Sequence, residues 1–215
     1  MVTGLLASAN TIKEYYIKSK LEPSVELTES IKNMNQVKSY RYHLLSTFLV
    51  DDRKEVISEV QGEKNSGNTH IKGEMVNTPV DIYYIDHTIY NYDSFSQKWL
   101  VIESETSNCE ELLISELNPL SNFKFNQVNN VSKVNFEKVD GVECLVVNCK
   151  PAIETQLLET MWKDFECQFW LDYKKRLIRK AELNAVNKKE AKTRLYVKAT
   201  FSDFNQAISI KPPEK

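Results

Sequence analysis

Three histidines are the side chains in this chain best suited to acid–base or metal chemistry. They are His43, His70 and His87, and no His-x-x-His or HExxH spacing joins any two of them. A local motif of that kind places two chelating groups on one face of an element, where they can share a metal ion. The spacing therefore favours ordinary surface or turn histidines, and we expect no metal-binding residue.

Other catalytic signatures are also missing from the sequence. No GxSxG elbow, Walker A loop or glycine-rich dinucleotide loop occurs, and the chain has only 5 glycines. Glu110 and Glu111 stand at the start of a predicted helix, where carboxylates complement the helix dipole. Glu103 and Glu105 are interpreted as a solvated strand end rather than an acid–base pair. We expect no catalytic and no cofactor-binding residue, and hence a protein that is not an enzyme.

The cysteines do not form a metal pattern either, because no Cys-x-x-Cys occurs. Cys144 and Cys149 lie five residues apart in one predicted strand, so they point to opposite faces and cannot pair with each other. With Cys109 and Cys167 the chain has 4 cysteines, which allow three pairings in principle. Buried free thiols are the favoured interpretation.

Length and composition indicate a single domain of ordinary make-up. The 215 residues (25.0 kDa) are 41% hydrophobic, and the net charge of −2 makes nucleic acid an unsuitable partner. The apolar runs are too short for a membrane span. Residues 1–10 lack the charged region and apolar length of a signal peptide. They fit a cytoplasmic protein with a plain start or a mature domain whose export or lipoprotein signal was removed, and we favour the second.

An alternating run between residues 165 and 173 is the strongest structural signal. Its odd positions are Phe, Cys, Phe, Leu and Tyr, whereas residues 166, 168 and 172 are Glu, Gln and Asp. Period-2 alternation places one set on each face of a β-strand. A sheet with one apolar and one polar face is antiparallel and must cover its apolar face.

Similar runs recur along most of the chain, interrupted by a few helical patterns. The predicted order is a short helix from Thr11, a helix over residues 27–37, six strands between residues 40 and 102, a helix over residues 107–117, a hairpin across Asp140-Gly141, a helix over residues 151–162, and strands at residues 165–173, 176–187 and 192–204. Twist accumulates over so many strands and curls the sheet. The predicted fold is α+β: a curved, incomplete antiparallel β-barrel of about eleven strands, with short helices covering the open concave face.

This order of elements resembles the LolA/LolB-type lipoprotein-carrier superfamily. The echoes are Tyr90-Asn-Tyr92 followed by Lys98-Trp99, the Val139–Val146 hairpin, the Phe169–Asp172 strand, and a tail that runs from Phe201 to Pro212. The resemblance covers residues 25–212, which we interpret as one LolA-like domain. Residues 1–24 form an N-terminal helical extension.

The resemblance implies a non-enzymatic, extracytoplasmic module, anchored to the membrane by a lipid on a cysteine upstream of residue 1. Some relatives carry lipids or lipoprotein acyl chains in the concave hydrophobic cavity. Others act through protein partners, and the clostridial spore-germination lipoproteins, which support a cortex-processing amidase, are one such branch. The family's carriers keep a strand arginine that holds the helix lid. Arg41 is the early candidate here, but it lies on the face opposite Tyr40, Tyr42 and Phe48. We therefore favour binding of a protein partner, a cell-wall amidase in this branch, and keep acyl-chain carriage as the alternative.

Two sets of aromatic residues are the candidate cavity or partner surface. The first occupies adjacent predicted strands: Tyr83, Tyr84, Tyr90, Tyr92 and Trp99. Packing of the sheet itself is the simpler interpretation, and a ligand cavity or partner surface is the functional one. The second set, Trp162, Phe165 and Phe169, leads from a predicted helix into the apolar strand face and is expected to fill the cavity.

Two surface features complete the sequence predictions. The basic cluster between Lys174 and Lys180 is interpreted as a solvated hairpin rather than a contact for anionic lipid. An open barrel edge with short hinges favours a homodimer, formed by exchange or pairing of exposed strands.

Overall fold

A computed structural model describes residues 12–51, 53–103, 118–123, 125–153 and 156–214. In this part of the chain eleven strands form one sheet, and every strand is antiparallel to its neighbours. The strands are β1 (Ser39–Val50), β2 (Arg53–Asn65), β3 (Asn68–Met75), β4 (Thr78–Ile85), β5 (Thr88–Asp93), β6 (Lys98–Glu103), β7 (Phe125–Val139), β8 (Val142–Ile153), β9 (Trp162–Asp172), β10 (Leu177–Asn187) and β11 (Thr193–Ser202).

The strand order explains why the barrel is incomplete. From β1 the chain meanders outward through β2, β3, β4 and β5 to one edge at β6. It resumes at the other edge, β7, and returns through β8, β9 and β10 to β11, which pairs with β1 along ten residue pairs from Arg41↔Ser202 to Val50↔Thr193. The edges β6 and β7 are not paired with each other, so the sheet stays open. The predicted half-barrel of about eleven strands is confirmed.

Helices accompany the sheet at three places in the described residues. They are α1 (residues 12–19), α2 (Pro23–Met34) and α3 (Gln156–Met161), together with a 3₁₀ turn at Pro119–Phe123. Proline in the first turn suits α2 because that position needs no backbone donor. α2 packs on β7, β9 and β10, and its Leu27 and Met34 enter the core. The predicted helix at residues 107–117 lies outside the described residues.

The predicted helix over residues 151–162 is largely wrong. Strand β8 continues to Ile153, with Pro151 opposite Val128 of β7, and Trp162 begins β9. Only Gln156–Met161 is helical. Pairing with the neighbouring strands outweighs the local helical spacing of the apolar residues here.

The apolar core lies on one face of the sheet, hereafter the core face, and the opposite face is called the outer face. The alternation in β9 follows this division: Phe169 and Leu171 are fully buried in the main core cluster. Trp170 points the other way and packs with Cys144 and Val146 in a small outer cluster. Burying a side chain such as Phe169 stabilises the fold by roughly 1.5–3 kcal/mol.

Two local features show how the backbone accommodates this packing. The β7–β8 hairpin turns at Asp140 and Gly141 with φ angles of 48° and 77°, as an Asp-Gly turn of the predicted kind requires. In the β1–β2 ladder Tyr42 lies opposite Gly62, and a Cβ atom at residue 62 would overlap the tyrosine ring. Glycine therefore allows the ring to lie over the β2 backbone.

Candidate functional site

The first aromatic set divides between the two faces of the sheet. Tyr84 is on the core face, opposite Ile89 in the β4–β5 ladder, and it packs against the main cluster. Its neighbour Tyr83 points to the outer face, opposite Tyr90. Tyr92 and Trp99 form a directly opposed pair on that outer face. The alternation of side chains along the strands therefore places Tyr84 on the core face and the other four aromatic residues on the outer face.

The four outer residues, Tyr83, Tyr90, Tyr92 and Trp99, form what we call the outer aromatic patch. The Trp99 ring centroid lies 5.1 Å from that of Tyr92 and 5.5 Å from that of Tyr83. On its other side Tyr83 stacks on His70, with a centroid distance of 3.9 Å and an interplanar angle of 9°. All four are half-buried rather than covered. Such half-exposed tyrosine and tryptophan rings are typical of protein contact surfaces.

The second aromatic set is part of the core. Trp162 is 4% exposed and its ring centroid lies 5.4 Å from that of Phe48. Phe169 is fully buried against Phe123, with a centroid distance of 5.6 Å, and Phe165 is partly buried against the same cluster. These rings lie on the core face of the half where α2 packs.

The core face of β3–β6 is more open than the rest. Ile71, Ile82 and Ile89 are at most 4% exposed, but towards the edge Leu100 and Ile102 are 48% and 41% exposed. The ladders bring these residues together on one face: Ile82 pairs with both Ile71 and Asn91, Asn91 with Leu100, and Ile89 with Ile102. The result is a mainly apolar strip, the β3–β6 strip, which includes the polar Asn91 and becomes progressively exposed towards β6.

Six buried side-chain polar atoms have no hydrogen-bond partner in the described part of the chain. They are Oε2 of Glu26, Oγ of Ser30, Oη of Tyr40, Oγ1 of Thr47, Oγ of Ser58 and Nε of Arg179. Glu26 and Ser30 are four residues apart on the side of α2 that faces the sheet. Burial raises the pKa of Tyr40 and lowers that of Lys64, its direct neighbour in the β1–β2 ladder. The interior of the half-barrel therefore combines an apolar lining with a few uncompensated polar groups.

The three histidines do not converge. His43 lies 3.2 Å from a Glu59 oxygen, His70 lies 2.8 Å from Asp81, and His87 lies 3.2 Å from the Tyr84 hydroxyl. Among the described residues no group of three or more His, Cys, Asp or Glu side chains is arranged to hold a metal ion.

Arg41 extends from the outer face, as the alternation predicts. Its guanidinium pairs with Glu63 at 2.7 Å and Asp203 at 2.9 Å. The arginine that does contact a helix is Arg176, which lies 3.2 Å from Oε1 of Glu26 in α2. Sequence reasoning missed this contact because it joins a turn to a helix 150 residues away.

The described cysteines are buried free thiols. Cys149 and Cys167 face each other directly across β8 and β9, on the core face. Cys144 lies in the small outer cluster, and burial raises the pKa of its thiol to about 11. Cys109 lies outside the described residues.

Sequence reasoning also missed Leu100 and Ile102 as site residues. Their alternation with Trp99 and Val101 is visible in the sequence, but their exposure follows from the edge position of β6, which depends on the order of strands. No helix in the described ranges has both the length and the apolar character needed to cross a membrane.

Comparison with known proteins finds solved structures of similar fold. No family model matches the chain, and no curated protein matches its sequence. The lipoprotein LppX of Mycobacterium tuberculosis superposes with a TM-score of 0.61 at 14% identity, over 87% of this chain and 97% of LppX. LprF of Mycobacterium bovis superposes with a TM-score of 0.59 at 15% identity, over 90% of this chain and 99% of LprF. This chain therefore has the fold of these two proteins.

Proposed function

We propose that this protein is a non-enzymatic, extracytoplasmic module that binds lipid or lipoprotein acyl chains on the β3–β6 strip. The observation that carries the proposal is the strip itself, in which Leu100 and Ile102 are 48% and 41% exposed and Ile102 lies opposite the buried Ile89. Covering apolar surface is favourable by roughly 25 cal/mol per Å². An extended acyl chain lying along the strip would bury such surface.

Two further observations support an acyl ligand over the protein partner that the sequence favoured. The fold is that of LppX, which is a lipoprotein, and of LprF. The resemblance to LolA/LolB-type carriers implies ligand binding on the apolar face of the sheet, and the strip is part of that core face. The strand arginine expected of a carrier is displaced to the outer face, but Arg176 contacts α2 instead.

The proposed location follows from the same resemblance. The chain is an extracytoplasmic lipoprotein anchored by a lipid on a cysteine upstream of residue 1. Metabolic labelling of the full-length protein with radioactive palmitate is expected to yield a labelled band that disappears when the cysteine is replaced. A full-length protein without any attached acyl group would contradict the anchor.

Native mass spectrometry tests the ligand directly. The purified protein is expected to carry added mass in the range of fatty acids or phospholipids, and to bind a dansyl-labelled fatty acid in solution. Leu100→Arg and Ile102→Arg place a cation on the strip and are expected to weaken fatty-acid binding about tenfold or more.

Val101→Arg is the matched control. Residue 101 lies in the same strand and is 53% exposed, but its side chain is on the outer face, opposite Tyr90. This variant is expected to bind like the wild type. If all three variants lose fatty-acid binding equally, the substitutions have damaged β6. If Leu100→Arg and Ile102→Arg bind the fatty acid as the wild type does, the strip is not the binding site.

The outer aromatic patch favours a second candidate function, the binding of a protein partner. If the protein acts like the clostridial spore-germination lipoproteins, the partner is a cell-wall amidase that acts in spore germination. A pull-down from sporulating cells is expected to recover such an enzyme with the wild type and with Leu100→Arg, but not with Trp99→Ala. If Trp99→Ala recovers the enzyme as well as the wild type does, the outer aromatic patch is not the binding site for the partner.

The homodimer expected from the open sheet remains part of this proposal. The short edge strand β6, with three apolar residues exposed by 41–53%, is the edge best suited to pair with a second copy. Light scattering at rising concentration checks it, and a strict monomer of 25.0 kDa would rule the dimer out.

A further inference from the structure

The N-terminal helix α1 is attached to the sheet by its polar side. Glu14 and Lys18, one helical turn apart, make the contacts: Glu14 pairs with Lys174 at 2.7 Å, and Lys18 pairs with Glu143 at 2.7 Å. The hydroxyl of Tyr173 lies 3.1 Å from the Glu14 carboxylate. The orientation of the helix is therefore determined by charged groups, which is the reverse of ordinary helix packing.

The opposite side of α1 is apolar and faces outward. Ile12, Tyr15 and Tyr16 are 70%, 77% and 62% exposed, respectively. Their spacing of three and four residues places them on one face of the helix. Three large side chains grouped on one turn differ from the isolated exposed hydrophobics that any protein surface carries.

Exposed basic side chains border this apolar face. Lys13 and Lys20 are exposed in or beside α1, and Lys175 is exposed in the β9–β10 turn to which α1 is attached. None of the three has an ion-pair partner among the residues that the structure describes. Tyrosine rings beside lysines are the composition typical of helices that lie at the surface of a membrane with anionic headgroups.

We propose that α1 and the β9–β10 turn form a membrane-contact surface, on which Ile12, Tyr15 and Tyr16 enter the boundary between lipid headgroups and acyl chains. The occupant is a lipid bilayer that contains anionic lipids, because charge complementarity with Lys13, Lys20 and Lys175 selects it. The surface goes beyond the ligand site of the proposed function and does not depend on it. It places the N-terminal side of the half-barrel against the membrane.

Vesicle sedimentation with the 215-residue chain tests the proposal. Vesicles of phosphatidylcholine with about one third phosphatidylglycerol are expected to bind the protein, and pure phosphatidylcholine vesicles more weakly. Replacing Ile12, Tyr15 and Tyr16 together by serine is expected to lower the partition coefficient about a hundredfold. The matched control is Val76→Ser with Phe95→Ser, which removes two other side chains, 68% and 97% exposed, and is expected to leave binding unchanged.

Other outcomes overturn the proposal. Equal vesicle binding by the triple serine variant and the wild type would exclude the helix face, and so would a wild type that does not bind anionic vesicles. If light scattering shows a wild-type dimer that the triple variant dissociates, the face is an interface between copies. Unchanged circular dichroism and melting temperature confirm that the variants fold. Vesicle binding by Leu100→Arg at the wild-type level separates this surface from the acyl-chain site.

Discussion

Replacing Gly62 by alanine is the sharpest test of how the half-barrel is packed. Gly62 lies in β2 opposite Tyr42, and an added Cβ atom would overlap the far end of the Tyr42 ring. The ring cannot move freely, because Tyr42 is 4% exposed and its centroid lies 6.0 Å from that of Tyr40. It must therefore be displaced into space that is already filled.

The magnitude follows from two opposing effects. Overpacking a filled core costs about 1–3 kcal/mol. Alanine is favoured over glycine within a strand by roughly 0.5–1 kcal/mol, because the unfolded chain has less entropy to lose. Gly62→Ala is therefore expected to lower the free energy of unfolding by up to about 2.5 kcal/mol. In a Tyr42→Leu background the clashing ring atoms are gone, and the same change is expected to stabilise the protein by roughly 0.5–1 kcal/mol.

A double-mutant cycle measures the difference. Urea unfolding of the four proteins is followed by tryptophan fluorescence and by circular dichroism, and coincident curves justify a two-state analysis. The expected coupling between residues 42 and 62 is about 1–3 kcal/mol. If the two changes are additive within about 0.5 kcal/mol, the Tyr42 ring does not lie over Gly62 and the β1–β2 register is wrong.

Three further predictions concern polar and titratable groups. Tyr40→Phe removes a buried hydroxyl without a hydrogen-bond partner and is expected to raise the free energy of unfolding, measured in urea, by about 1 kcal/mol. A decrease of about 1 kcal/mol would instead mean that the hydroxyl is hydrogen-bonded in the folded protein. Lys174, followed by Tyr173, holds the pKa of Glu14 below its ordinary value of 4.5. Because the folded-state pKa is the lower one, the contribution of this contact is complete above about pH 4.5 and lost as the pH falls through the folded-state value. The hydrogen-exchange protection factors of residues 12–19, that is, the exchange rates corrected for their intrinsic pH dependence, are therefore expected to fall in acid before those of the sheet do. Lys174→Ala is expected to reduce this pH dependence, and the part carried by Lys18 and Glu143 remains. At pH 8 the thiol of Cys144, with its pKa near 11, is expected to react with Ellman's reagent about a hundredfold more slowly in the folded protein than in urea, and equal rates would contradict its burial.

The elements that the sequence predicted correctly are those with a strong local signal. The alternation in β9 and the Asp140-Gly141 turn depend on the geometry of neighbouring residues, and both are found in the structure. The helical spacing that ends at Trp162 is equally local, yet Trp162 begins a strand beside β10. The pairing partner of a segment is a non-local property, and in this region it decides the conformation.

In the candidate site, the face on which a side chain is covered likewise depends on residues distant in the chain. Tyr83 and Tyr84 are adjacent in the sequence, and alternation places them on opposite faces without indicating which face is covered. The structure puts Tyr84 against the core and Tyr83 beside Trp99 in the outer aromatic patch. In α1 the spacing of Ile12, Tyr15 and Tyr16 predicts a short helix, and only the ion pairs of Glu14 and Lys18 decide that its apolar face is directed outward.

The sequence by itself determined the number and direction of the strands, the main hairpin turn and the absence of local catalytic motifs, because each follows from sterics and spacing within a few residues. Only the tertiary structure decided that β1 pairs with β11, that β6 is left at an edge with Leu100 and Ile102 exposed, and that Arg176 rather than Arg41 contacts a helix. These outcomes join residues far apart in the chain. The free energies of these contacts depend on which surfaces the whole fold brings together. The periodicity of one segment contains no information about its distant partners.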